Sequence, residues 1–107
     1  MFLPTLAECF SASYPEAMKM EKPIITTDLG FARSICDDAA LFFKPGHARS
    51  AADKISSLVA SQQLQERLRA LGCVRLAKFD TAAGRAEKIL EICKALVWKP
   101  VLAATVE

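Results

Sequence analysis

Short apolar runs alternate with polar breaks through the first half of the chain, and the apolar period becomes helical in the second half. Phe2 to Leu6 reads as a short buried strand, with Pro4 suited to a strand end or edge. Ser13 to about Met20 reads as a helix. Ile24-Ile25-Thr26-Thr27 is β-branched throughout and bounded by Pro23 and Asp28-x-Gly30, which predicts a second strand. A short helical turn is expected over Ala32 to Cys36. Ala40-Leu41-Phe42-Phe43 then forms a third strand, stopped by Pro45-Gly46. Beyond it, Ala48, Ala51, Ala52, Ile55, Leu58 and Val59 recur at helical spacing. Leu64, Leu68 and Leu71 do so again, with Gly72 as the expected break. Asp80 or Thr81 is expected to cap a long last helix whose apolar stripe (Ala82, Ala86, Ile89, Leu90, Cys93, Leu96) packs on the domain. Residues 98–107 carry little pattern and read as a frayed tail.

This order of elements predicts an α/β chain with a short parallel sheet, flanking helices and right-handed crossovers, a partial Rossmann-like three-layer domain over residues 1–97. Three short strands are few for a parallel sheet, which needs both faces covered. The chain is therefore expected to be part of a larger sheet. There is no internal repeat and no low-complexity tract.

Composition narrows the picture modestly. The chain of 107 residues suits one small domain, and 52% hydrophobic with 24% charged residues fits a folded protein. A net charge of +2 is too small to argue for nucleic acid, although residues 1–44 carry −2 and residues 45–107 carry +4. Arg85, Lys88, Lys94 and Lys99 with Trp98 would suit an anionic membrane face, and a solvated helix is the plainer reading. The four cysteines form no C-x-x-C pair and no cluster with His47, which argues against zinc. Three of them read as small buried hydrophobes, and a reducing cytosol is the simpler compartment. No signal peptide is legible, and no apolar run approaches the ~20 residues that span a bilayer.

The chemistry concentrates in Glu8-Cys-Phe-Ser-Ala-Ser-Tyr-Pro-Glu16, two glutamates with seven residues between them. Both fall where a strand's C-terminal end turns into a helix, the place where open α/β sheets bind ligands. Glu16 has a structural alternative, because Ser13-x-x-Glu16 fits a capping box. Glu8 stands at no cap and reads as either a solvated carboxylate or a ligand group. Phe10 reads as a core aromatic ahead of a stacking partner. His47 follows a turn and is expected to point to solvent.

In this order and spacing, the chain resembles the C-terminal domain of retaining, sugar-nucleotide-dependent GT-B glycosyltransferases of family 4 (glycosyl transferases group 1). The matching residues are Phe2-Leu3-Pro4-Thr5, Glu8-x7-Glu16, Glu16-Ala17-Met18, Lys22-Pro23-Ile24-Ile25-Thr26-Thr27-Asp28-x-Gly30, Asp38-Ala39-Ala40-Leu41 and Lys44-Pro45-Gly46. The match is dense over the first half and looser to about Leu96. The resemblance implies transfer of a sugar from a nucleotide-diphosphate sugar to an acceptor hydroxyl, on a saccharide or a lipid-linked acceptor, with no metal and no cofactor. It implies a catalytic role for Glu8, which would stabilise charge developing at the anomeric carbon. It implies donor binding through Cys9, Phe10, Ser11, Ala12 and Glu16, with the Glu16 carboxylate on the ribose hydroxyls.

The chain departs from the family where Cys9 and Ser11 replace the glycines flanking the aromatic, and where Ala12-Ser13 replaces Leu-Pro. Ala32 and Arg33 also stand where the family's next loop ends in Pro and Glu, and that loop is assigned no ligand role. The resemblance begins partway through a domain, so the chain is expected to be a fragment or truncation. Without the N-terminal domain and the Arg and Lys that neutralise the diphosphate, it is expected to be inactive alone. The expected compartment is the cytoplasm, with the inner membrane face as a peripheral alternative. The rivals are a non-catalytic interaction or regulatory module whose partner covers the sheet edge, and a flavodoxin-like domain without a recognisable phosphate loop.

Overall fold

Proline decides where the first strand stops. The computed structural model describes the backbone of residues 1–106 and the side chains of residues 1–97. Strand β1 covers Phe2–Leu3 and ends at Pro4, shorter than the expected run to Leu6, because proline has no N–H for the ladder. Helix α1 (Ser13–Lys19), strand β2 (Ile24–Thr27), helix α2 (Gly30–Cys36) and strand β3 (Ala40–Phe43) follow. Helices α3 (Ala48–Ala60), α4 (Gln62–Leu76) and α5 (Ala82–Val106) complete the order. The strands form one parallel sheet in the order β1-β2-β3. Phe2 pairs with Ile25, and Ile24 to Thr27 pair with Ala40 to Phe43.

Strand alternation sorts the core into two layers. Ile24 and Ala40 face α1 and α2, against Tyr14, Ala17, Met18, Ala32, Ile35 and Cys36. Ile25 and Phe43 face α3, against Ala51. The result is the expected α/β arrangement, a short parallel three-stranded sheet flanked by helices, consistent with a partial Rossmann-like domain.

Several local readings are corrected. The capping box does not form: Ala12 is the N-cap of α1, no side chain caps it, and Ser13 is already helical. Ala12 has helical dihedrals of φ −62° and ψ −20°, so the helix is entered one residue early and Glu16 donates its N–H to the Ala12 carbonyl. At the other end, Glu21 takes φ 54°, with Glu21 and Lys22 donating to the carbonyls of Met18 and Ala17. That is a Schellman closure built on a glutamate instead of glycine.

Gly72 does not break a helix. It is buried inside α4 against α1, where a Cβ would lie at an ordinary 3.5 Å from Met18 Cγ. The break comes earlier, at Ser61, whose hydroxyl accepts from the Leu64 N–H to cap α4. Arg75 secures the neighbouring helix: its Nε and Nη2 donate to the carbonyls of Ile35 and Ser34 at the C-terminal end of α2.

Thr81 caps α5 as expected, accepting from the Gly84 N–H at 3.0 Å. The apolar stripe of α5 does not pack on the domain, however. Ile89, Leu90 and Leu96 are exposed, Leu96 at 71%. The backbone of α5 continues helically to Val106. The tail expected over 98–107 lies outside the residues whose side chains are described. Of the four free cysteines only Cys36 is buried; Cys9, Cys73 and Cys93 are exposed, which corrects the reading of three buried thiols. No helix among the described residues is long and apolar enough to cross a membrane.

Candidate functional site

Two buried threonines anchor the ends of the loop that carries the candidate site. Thr26 and Thr27 end β2, and their hydroxyls hold the chain leaving β1. Thr26 Oγ1 donates to the Leu3 carbonyl at 3.1 Å, and Thr27 Oγ1 bonds the Thr5 carbonyl just past the strand. With its proton used this way, Thr26 Oγ1 accepts from the Tyr14 hydroxyl at 2.6 Å. Tyr14 is fully buried on α1. The chain Tyr14–Thr26–Leu3 therefore ties the first turn of α1 to the end of β1. Burial pushes the Tyr14 phenol above its ordinary pKa, and its bond to Thr26 pulls partly back. The β-branched pattern marked Thr26 and Thr27 only as strand formers; their role as polar anchors depends on which carbonyls the sheet brings alongside.

Between these anchors runs the loop with most of the predicted site residues. Glu8 is exposed, and its Oε1 accepts from Thr5 Oγ1 at 3.2 Å. Cys9 is an exposed free thiol. Ser11 is 9% exposed and its carbonyl accepts from the Tyr14 N–H. Ala12 is exposed at the N-cap of α1. Phe10 corrects the core reading. It is 48% exposed, meets Phe79 edge-on with centroids 6.1 Å apart, and lies under the Arg85 guanidinium at 5.6 Å.

Glu16 lies in the first turn of α1, exposed, on a different face. It lines a groove of about 350 Å³ with Met1, Ser13, Ala17, Met20 and Lys22, beside the unpaired edge of β1. Phe10 instead lines cavities with Phe79, Asp80 and Arg85 at the α4–α5 junction. Glu8 to Ala12 thus follow the C-terminal end of β1 and Glu16 lies in the first turn of α1, but Phe10 and Glu16 line separate cavities. Lys19 and Lys22 are exposed. Neither Glu8 nor Glu16 enters an ion pair among the described residues, where Arg33–Asp28 and Lys88–Asp80 are the pairs formed.

The other two loops leaving the strands carry structural chemistry. Arg33 donates to Asp28 at 2.6 Å and lies over the Phe42 ring at 4.0 Å. The Arg33 hydrogen bond holds the Asp28 carboxyl below its ordinary pKa. His47 is exposed, and its Nδ1 accepts from the Ser50 N–H at 3.0 Å, so the imidazole caps α3. Beside it, Phe2, Pro4, Leu6, Thr27, Phe43 and Ala51 line an apolar cavity of about 310 Å³, where Phe2 stacks on Phe43 at 5.5 Å. Among the described residues, no three His, Cys, Asp or Glu side chains gather as metal ligands.

The model of the family glycosyl transferases group 1 matches residues 1–72. No curated protein matches the chain.

Proposed function

The chain belongs to the glycosyl transferases group 1 family, and from that premise we propose that it is the donor-binding part of a retaining family 4 enzyme of the GT-B fold. The complete enzyme takes a nucleotide-diphosphate sugar and transfers the sugar, with retention, to an acceptor hydroxyl. One observation carries this reading. Glu8 and Glu16 are exposed carboxylates without ion-pair partners among the described residues, set where β1 leaves the sheet and α1 begins. That is where open parallel sheets receive ligands.

Glu8 holds the donor sugar and stabilises positive charge that develops at the anomeric carbon. Charge that appears only in the transition state is the kind whose stabilisation raises rate. Glu16 accepts hydrogen bonds from the two ribose hydroxyls, which two carboxylate oxygens suit. Since Glu16 caps nothing with its side chain, it is free for that role. Cys9, Phe10, Ser11 and Ala12 shape the intervening loop against the donor, and the small Cys9 and Ser11 leave room for close approach. No metal or cofactor takes part. The enzyme works in the cytoplasm, and a second domain supplies the acceptor site and the diphosphate clamp. The 107-residue chain alone does not turn over substrate.

Titration of the chain with UDP, GDP and ADP tests this. Weak binding of one nucleotide that Glu16→Ala abolishes supports the donor-site reading. Equal binding before and after the substitution overturns the assignment of Glu16. Sugar transfer or donor hydrolysis by the purified chain overturns the claim that it is inactive alone.

A further inference from the structure

The loop that carries Glu8 has almost no backbone scaffold. None of the backbone–backbone hydrogen bonds among the described residues involves Pro4 to Phe10 outside the sheet. Its start is tied by Thr27 at the Thr5 carbonyl, and its end by the Tyr14 N–H at the Ser11 carbonyl. Between those ties, Glu8 bonds only to Thr5, a member of the same loop. Phe10 is different, because it reaches another part of the fold.

That part is the junction of α4 and α5, beyond the residues that the family model covers. Phe79 sits between the two helices and meets the Phe10 ring at 77°, the edge-on geometry that aromatic quadrupoles favour. Arg85, in the first turn of α5, places its guanidinium over the Phe10 ring, 5.6 Å from its centroid. Asp80 does not compete for Arg85, since it pairs with Lys88 at 2.7 Å. Phe79 is in turn overlaid by Arg75 at 5.4 Å, and Arg75 is bonded to α2. A continuous set of contacts therefore runs from α2 through Arg75 and Phe79 to Phe10.

We propose that Phe79 and Arg85 are positioning residues, which clamp Phe10 and thereby fix the conformation of the loop Glu8 to Ala12. The role of that loop in donor binding rests on the reading given under Proposed function; the clamp itself does not. Phe79 and Arg85 touch no reacting atom. They act by restricting a loop that would otherwise sample many conformations before receiving a ligand, and ordering done in advance is not charged against binding.

Backbone ¹⁵N relaxation of the 107-residue chain tests the clamp. In the unsubstituted chain the amides of residues 8–12 are expected to show order parameters near ~0.85. Arg85→Met and Phe79→Leu are each expected to lower them toward or below ~0.6, the flexible range. Arg85→Lys keeps a cation over the ring and is expected to stay near the unsubstituted values, a rescue that a purely steric role for the side chain would not show. The Phe10 ring resonances are expected to lose their Phe79 ring-current shift in Phe79→Leu. Order parameters across β2 are expected to stay unchanged in all variants. Loop values that stay high in Arg85→Met and Phe79→Leu, or that fall only together with those of β2, overturn the clamp.

Nucleotide titration of the same variants separates the two readings. A loss of affinity of about two- to fivefold in Arg85→Met, the factor expected of one exposed cation–ring contact, ties the clamp to the site. Unchanged affinity with a loosened loop overturns that tie. If the unsubstituted chain takes up no nucleotide, the donor-site reading fails, and the order parameters alone decide the clamp.

Discussion

Replacing Tyr14 and Thr26 singly and together measures how firmly the candidate loop is tied to the sheet. The Tyr14 hydroxyl donates to Thr26 Oγ1 at 2.6 Å, and Thr26 Oγ1 donates to the Leu3 carbonyl at 3.1 Å. Both side chains are fully buried. Tyr14→Phe removes one neutral hydrogen bond and leaves Thr26 still bonded to Leu3, so the expected cost is about 1 kcal/mol. Thr26→Val is nearly isosteric but strands the Tyr14 hydroxyl away from water. The cost of an unsatisfied buried donor adds to the lost bond to Leu3, giving about 2–3 kcal/mol.

In the double variant no hydroxyl is stranded, because both side-chain partners have gone, and the lost bond to the Leu3 carbonyl costs the same as in Thr26→Val. The double variant is expected to be more stable than Thr26→Val alone by about 1 kcal/mol. The assay is equilibrium urea unfolding followed by far-ultraviolet circular dichroism. With a denaturant slope of about 1–2 kcal/mol/M for so small a chain, that difference moves the midpoint by about 0.5–1 M. Additive costs, with the double variant weaker than either single one, would refute the hydrogen-bond chain.

Three further outcomes follow from particular geometries. Gly72→Ala is expected to raise stability by about 0.5–1 kcal/mol, because a Cβ meets Met18 Cγ at an ordinary 3.5 Å and alanine favours the helix interior; Gly72→Leu in the same unfolding assay is expected to destabilise by overpacking α4 against α1. Asp37 takes φ 52° and ψ −118°, a region suited to glycine, so Asp37→Gly is expected to stabilise by about 1 kcal/mol, and a loss would reveal a role for the carboxylate. The third concerns alkaline pH. Burial pushes the Cys36 thiol up to about 12, against partial lowering by Arg75, and raises the Tyr14 phenol. The folded chain then keeps protons that the unfolded chain has lost, so stability is full below the unfolded thiol value of ~8.5 and falls as pH rises toward the folded value. Cys36→Ala is expected to flatten the decline between about pH 8.5 and 10, where the Tyr14 phenol has yet to contribute; an unchanged slope between the two proteins would sink the assignment.

Local pattern was enough for everything that depends on neighbours in the chain. The β-branched run Ile24 to Thr27 and the run Ala40 to Phe43 announced their strands with the observed bounds, since extended backbone suits those side chains and Pro, Asp and Gly close the ends. The order of apolar runs was sufficient for the parallel α/β sheet, because few connections join such elements in that sequence. Glu8-x7-Glu16 marks the loop after β1 through residue spacing alone. What failed was each reading that needed to know what lies alongside. Ser13-x-x-Glu16 has the letters of a capping box, yet helical dihedrals at Ala12 move the cap off Ser13. Gly72 looked like a break until Met18 appeared against it.

The same division runs through the site. That Glu8 and Glu16 share the loop and first turn after a strand was legible, because eight successive positions cannot stray far from one another. That Phe10 points to Phe79 and Arg85 was not, since about seventy residues separate them. Nor was the exposure of Ile89, Leu90 and Leu96, because an amphipathic stripe states only that a helix has an apolar face. Periodicity and turn chemistry are written in residues a few positions apart, and there the sequence alone decides. Which side chain meets which across the fold follows from how whole elements settle to fill space, and only the tertiary structure decides that.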